Sequence, residues 1–248
     1  ANYANVDVVG HIENPTAIRC AVETVDSQVG RVAAAAQRAG VTTLITADHG
    51  TVERWLYPDG AVDTGHTDSP VPFILVAPDA LDVRPQGELT DVAPTVLQLL
   101  GLPKPAAMTG RSLLAGDPPA GQRRVLLLIL DGWGSRAESE GNLIASADTP
   151  VMSGLLAGRP TALLQAAGPA VGMPAGTVGN SEVGHLHLGA GRRLYADRAR
   201  IDQSIADGSF YENPAFVRAV EGAKRDGRRL HLLGIISFYS SHGSVEHL

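Results

Sequence analysis

The amino-acid sequence predicts an α/β protein, with a central parallel sheet flanked by helices. Three observations predict it. Two short apolar runs, Val41 to Thr46 and Arg124 to Leu130, read as central strands. Helical patterns alternate with such runs along the chain. Both runs end in acidic motifs, Ala47-Asp48-His49-Gly50 and Asp131-Gly132, at the carboxyl ends where open α/β sheets hold their ligands.

Asn14 and Pro15 read as an N-cap and a first-turn proline, after which Ile18, Val22, Val25, Val29, Val32 and Ala36 recur at helical spacing until Gly40. That is an amphipathic helix of about six turns. It leads into the strand at Val41 to Thr46. Val71 to Val76 is a third strand, and Asp91 to Leu100 a helix closed by Gly101. From Leu102 to Arg123 the composition turns to Pro, Gly, Ala and short polar residues, and AGDPPAGQRR is the linker candidate before the strand at Arg124. A helix near Pro150 to Ala157 follows, then a glycine-rich stretch from Gly168 to Gly191. Helices around Ala196 to Ala206 and Pro214 to Asp226 and a strand at Leu230 to Ile236 complete the chain, with no internal repeat.

With 248 residues, 44% of them hydrophobic, the chain can bury one large core or two small ones. A formal net charge of −6 argues against an extended nucleic-acid surface, which needs clustered cations. Cys20 is the single cysteine, so an intramolecular disulfide is excluded and a reducing compartment, the cytoplasm by default, is expected. The longest apolar run, Val125 to Leu130, is about a third of a membrane span, and no signal-peptide pattern opens the chain. There is no initiator Met, and the chain starts inside a motif, as a fragment would.

Two distant segments carry metal-type side chains. The first holds Asp7 and His11 in NYANVDVVGH, Asp48 and His49 in TADHG, and His66 in TGHT; the second holds Asp131 in LDGWG and Ser181 in GNSEVGH. Three carboxylates, three imidazoles and a hydroxyl suffice for two divalent ions. A serine hydroxyl is a poor nucleophile at neutral pH, and coordination to a cation lowers its pKa. Asp48, His49 and Asp131 could form the site that activates Ser181, with Asp7, His11 and His66 around a second ion. Mixed oxygen and imidazole donors suit Mn²⁺ or Zn²⁺ better than Ca²⁺. Each piece alone has a plainer explanation: Asp131 and Ser181 as turn or helix caps, and His185, His187 and His231 as structural residues. Their coincidence in one chain favours a shared site.

NYANVDVVGH, TADHG, TGHT with PVP, LTDVAPTVLQLLGL through MTGRSL, LDGWG and VGMPAGTVGNSEVGHLHLGAGR together closely resemble the cofactor-independent phosphoglycerate mutases, within the alkaline phosphatase superfamily. The resemblance implies an alkaline-phosphatase-like sheet and the start of a second α/β domain. It implies that Ser181 becomes phosphorylated, that Asp131, Asp48 and His49 join it around one manganese, and that Asp7, His11 and His66 bind the other. His242 falls where the family has a substrate-contacting histidine, although Phe238-Tyr239-Ser240-Ser241 stands in place of the usual Asp-Gly-Gly-Val. Thr51 replaces the Asn that follows DHG, and Gly65 replaces an Ala before His66.

In the family the LDGWG block opens the chain and the NYAN block closes it, so the order here is inverted. The implied division is a C-terminal-type block of the metal-binding domain at 1–116, a linker at 117–123, an N-terminal-type block at 124–195, and an incomplete phosphotransferase domain at 196–248. The activity implied is the interconversion of 3-phosphoglycerate and 2-phosphoglycerate, a glycolytic step, on a small phosphorylated substrate without nucleic acid or membrane. A related metal-dependent phosphatase or phosphomutase is one rival, and a catalytically incompetent metal-binding fragment another. The family's later Asp-Arg and paired-arginine clamps have no counterpart, so weak phosphatase activity or none is expected of the chain alone.

Overall fold

The computed structural model of the chain describes residues 1–118, 123–225, 227–234 and 245–247. It divides into two units, Ala1–Leu194 and Tyr195–Leu248. Its class is α/β. In the first unit six strands form one sheet: β1 (Asn2–Tyr3), β2 (Val41–Thr46), β3 (Val71–Val76), β4 (Gln86–Glu88), β5 (Arg124–Leu130) and β6 (Thr161–Gln165), in the order β1-β5-β2-β3-β6-β4. The two expected central strands, β2 and β5, are parallel neighbours, with Thr46 opposite Ile129, and β1 adds to the far edge with Tyr3 opposite Leu130. Asp131 and Asp48 therefore leave the sheet side by side.

The sheet is mixed rather than wholly parallel, because β3 runs antiparallel to both β2 and β6. The connection from 47 to 70 explains this. Parallel neighbours need a crossover, usually a helix, to return the chain to the opposite end. This connection contains only a 3₁₀ turn at Val52–Arg54, so the chain re-enters at the end it left. His66 is thereby kept beside Asp48 and His49.

Helices α1 (Asn5–Gly10), α2 (Pro15–Arg38), α3 (Val92–Leu99), α4 (Pro150–Gly158) and α5 (Ser181–Ala190) complete this unit. The α2 helix begins as its sequence predicts: the Asn14 side chain accepts the Ala17 N–H at 3.0 Å, and Pro15 follows. Its inward face buries Ile18, Val22, Val25 and Val29 against a core that includes Leu44, Ile45, Phe73, Ile74 and Leu128. The α5 helix lies inside the glycine-rich stretch from Gly168 to Gly191, to which no element was assigned. Gly184 and Gly189 weaken its helical signal, by about 1 kcal/mol each relative to Ala. Asn180 offsets this as N-cap, accepting the Val183 N–H at 3.0 Å.

Asp26 ties the two sequence blocks together. It is buried on α2 and accepts the Met152 and Val151 N–H groups, at 2.7 and 3.1 Å, where the α4 N-cap Thr149 makes no side-chain bond. Asp26→Ala strands these donors and is expected to cost about 2 kcal/mol, read as a lower urea midpoint. Asp26→Asn, which keeps one acceptor oxygen, should lose less.

The expected linker at 117–123 is described only at Asp117, Pro118 and Arg123; Asp117 accepts from the Gln98 amide at 2.9 Å, and Arg123 pairs with Asp79 at 2.8 Å. The second unit contains α6 (Asp197–Ala206) and α7 (Pro214–Arg225), and no strand among its described residues. The strand expected at Leu230 to Ile236 is not formed over 230–234, and 235–236 lie outside the described residues. Leu232 and Leu233 are exposed there, and a strand without a neighbour to pair with is not stable in water. No helix among the described residues is long and apolar enough to cross a membrane.

Candidate metal centre

The carboxyl ends of β1, β5 and β2 meet at one edge of the sheet. Asp7 lies on α1 just beyond β1, and its N–H donates to the Asp131 carbonyl at 3.2 Å, which links the first turn of α1 to the end of β5. Gly132 makes this approach possible: its φ is 79°, and a Cβ there would sit 2.9 Å from the Asp7 Cα. Gly184 plays the same spatial role on α5. A Cβ would lie 2.8 Å from that of Asp48, so only glycine lets α5 press Ser181 against the strand ends.

Seven side chains converge there. Asp48 and His49 are fully buried, Asp131 nearly so, and Asp7 and His66 half-buried, while the His11 side chain is 45% exposed. The His49 Nε2 is 3.0 Å from Ser181 Oγ, 3.4 Å from Asp131 Oδ1, 3.6 Å from Asp48 Oδ2 and 3.7 Å from Asp7 Oδ1. Asp7 Oδ1 also lies 3.3 Å from His66 Nε2 and 3.4 Å from His11 Nε2. The Ser181 hydroxyl donates to Asp131 Oδ1 at 3.2 Å, and Asn2 donates to its other oxygen at 3.0 Å.

The imidazoles are oriented from behind. Nδ1 of His11, His49 and His66 lies against the carbonyls of Thr64, Gly50 and Gly179 at 2.8, 3.1 and 3.0 Å. A carbonyl only accepts, so each Nδ1 carries a proton; the Nε2 of His11 and of His66 turns its lone pair inward, while His49, protonated in the metal-free chain, donates its Nε2–H to Ser181 Oγ. The Nε2 atoms of His11 and His66 then face each other at 3.3 Å, which two lone pairs tolerate only with a proton or a metal ion between them. Asp48 Oδ2 is buried and accepts no well-directed hydrogen bond, although His185 Nδ1 lies 3.0 Å from it. The donor atoms fall into two groups, Asp7 with His49 and His66, and Asp48 with His49 and Asp131, the atoms of each within 4.8 Å of one another. These features fit divalent metal binding, with His49 between the groups.

The charge balance agrees. Burial pushes the Asp48 carboxyl up, with Asp131 adding to it, to about 6. Burial opposes charge on His49, but Asp131, Asp48 and Asp7 outweigh it and raise its pKa to about 9. Burial of Asp131 is likewise outweighed, by its hydrogen bonds with His49 and Asn2, which hold it well below the carboxylate range. For Asp7 burial is overcome by His66, His49 and His11, which lower it. A raised histidine pKa stabilises the metal-free chain below pH about 6.5, and that contribution is lost as pH rises through about 9. A divalent ion taking His49 Nε2 would displace its proton, so apparent affinity for such an ion should rise about tenfold per pH unit up to about 9. Calorimetric titration in buffers of different ionisation enthalpy counts the proton released.

His185 was expected to be structural, yet its Nδ1 lies 3.0 Å from Asp48 Oδ2 and 2.9 Å from the Ser181 carbonyl. Its separation of four from Ser181, one helical turn, was the signal available. His187 is buried and bonded within its own segment, to the Val183 carbonyl and the Leu194 N–H. Asn2 and Thr51 carried no chemical signal; the Thr51 hydroxyl donates to Asp7 Oδ1 at 3.2 Å. His242 lies outside the described residues.

An α/β sheet whose strand ends gather two groups of carboxylates and imidazoles is the arrangement of a divalent-metal centre. The family model of the Metalloenzyme superfamily matches residues 1–104 and 123–240, and the chain belongs to that superfamily. It is similar to the 2,3-bisphosphoglycerate-independent phosphoglycerate mutase of Methanococcoides burtonii, 49% identical over 127 residues, 51% of this chain and 24% of the relative. The enzymes of that name from Moorella thermoacetica and a Cyanothece species are 49% identical over 126 residues and 50% over 124, covering 51% and 50% of this chain and 25% and 23% of those relatives. The matched part thus spans about a quarter of the length of these relatives.

Proposed function

We propose that this chain carries the metal centre of a cofactor-independent phosphoglycerate mutase, with Ser181 as the nucleophile. The observation that carries this reading is Ser181 Oγ within hydrogen-bonding distance of both His49 and Asp131, at the junction of the two donor groups. Asp48, His49, Asp131 and Ser181 would hold one ion and Asp7, His11 and His66 the other, with Mn²⁺ favoured by the mixed donors. When bound, the ions lower the serine pKa and neutralise charge on the transferring phosphoryl group.

The Ser181 hydroxyl proton is directed at Asp131 Oδ1, which leaves an Oγ lone pair for attack on phosphorus. Its P–O bond forms as that to the glycerate oxygen breaks; the reverse step returns the phosphoryl group to the other hydroxyl. Ser181 is the first residue of α5, so the helix dipole favours negative charge on a phosphoserine there. A soluble phosphoglycerate in the cytoplasm is the proposed setting, and His242 the proposed further substrate contact.

A phosphatase is the second reading, favoured by exposure: Ser181 is half-exposed and His11 more so, which gives water a path to a phosphoserine. Coupled assays for 2-phosphoglycerate formation and free phosphate on one preparation separate the two. Mutase turnover without phosphate release supports the first, phosphate release alone the second, and neither product excludes both.

A further inference from the structure

Glu53 belongs to neither donor group, yet its side chain is fully buried between the loops that carry them. It sits on the 3₁₀ turn after DHG. Its Oε2 accepts the Thr51 N–H at 2.9 Å, and its Oε1 accepts the Thr67 hydroxyl. The backbones of Gly50 and Gly134 close in on it: a Cβ at Gly50 would lie 2.9 Å from its carboxyl carbon, and one at Gly134 would overlap that carbon. Gly50 follows His49, Thr67 follows His66, and Gly134 lies three residues past Asp131. One side chain thus touches three ligand-bearing segments, two in the β2–β3 connection and one after β5. Its influence reaches further through Thr51, whose hydroxyl donates to Asp7 and lies 3.3 Å from His49 Nδ1.

A carboxyl group buried this completely is costly unless donors satisfy it, and its donors come from opposite ends of the β2–β3 connection, beside His49 and beside His66. The arrangement therefore holds only when those two ends stand at the right separation. We propose that Glu53 is a positioning residue that sets the spacing between the two metal-binding groups. The proposal rests on the metal reading of those groups.

The test uses the full 248-residue chain, titrated with Mn²⁺ and followed by electron paramagnetic resonance. The parent should bind two ions per chain and give a spin-coupled spectrum. Glu53→Gln keeps the shape but offers one acceptor oxygen, leaving its amide against one of the two donors. Binding should weaken by about 10- to 100-fold, the range for residues that orient ligands from behind, and the coupled signal should collapse to isolated Mn²⁺. Thr67→Val should reproduce this with Glu53 intact, and Thr67→Ser, which restores the hydroxyl, should regain the coupled signal; circular dichroism shows which variants fold. Folded Glu53→Gln or Thr67→Val chains that bind two ions with parental affinity and coupling overturn the proposal, and if Glu53→Gln does not fold, the threonine pair decides. A parent that binds no Mn²⁺ overturns the metal reading itself, and this inference with it.

Discussion

Replacing Ser181 with Ala is expected to abolish the proposed phosphoryl transfer while leaving the fold nearly unchanged. The hydroxyl is the proposed attacking group, and loss of a nucleophile of this kind costs on the order of 10⁴- to 10⁶-fold in turnover. Its structural part is small. Ser181 Oγ makes one bond with His49 and one with Asp131, both part-buried, so its removal should cost no more than about 1 kcal/mol. Asn180 still caps α5, and Gly184 still sets its distance from Asp48. Intact-mass measurement after incubation with 3-phosphoglycerate should show one added phosphate on the parent and none on the variant. Phosphate retained by the variant would assign the nucleophile elsewhere.

Chelation should both silence the chain and lower its melting temperature. The facing Nε2 atoms of His11 and His66 and the poorly satisfied Asp48 oxygen are groups that a bound cation satisfies, so metal should bind the folded state in preference to the unfolded one. An ion at a free concentration about 100 times its dissociation constant contributes about 2.7 kcal/mol. Two such ions, about 5 kcal/mol together, raise the midpoint by about 10–20 °C in a domain of this size. Scanning calorimetry before and after chelation, then with Mn²⁺, Mg²⁺ or Zn²⁺ restored, measures the shift and ranks the ions. An unchanged midpoint after full metal removal would contradict the two-ion reading.

The sequence by itself determined which residues meet at the centre, but not how they are held. Val41–Thr46 and Arg124–Leu130 were legible as central strands because buried apolar runs carry a local signal, and the acidic motifs stand directly at their ends; their direct pairing was shown by the structure. The inverted block order did not obscure this: β5 inserts between β1 and β2 by register, which is indifferent to chain order. Three features were decided by the tertiary structure alone. The reversal of β3 follows from where a loop without a crossover helix can return. The helix at Ser181–Ala190 exists because packing against Asp48 outweighs the weak propensity of its glycines. His185 beside Asp48, and Glu53 between three segments, depend on contacts between residues up to 137 positions apart. Residue type and spacing act within a turn or a strand; which side chains then share a buried volume is set by sheet register and by how closely two backbones approach.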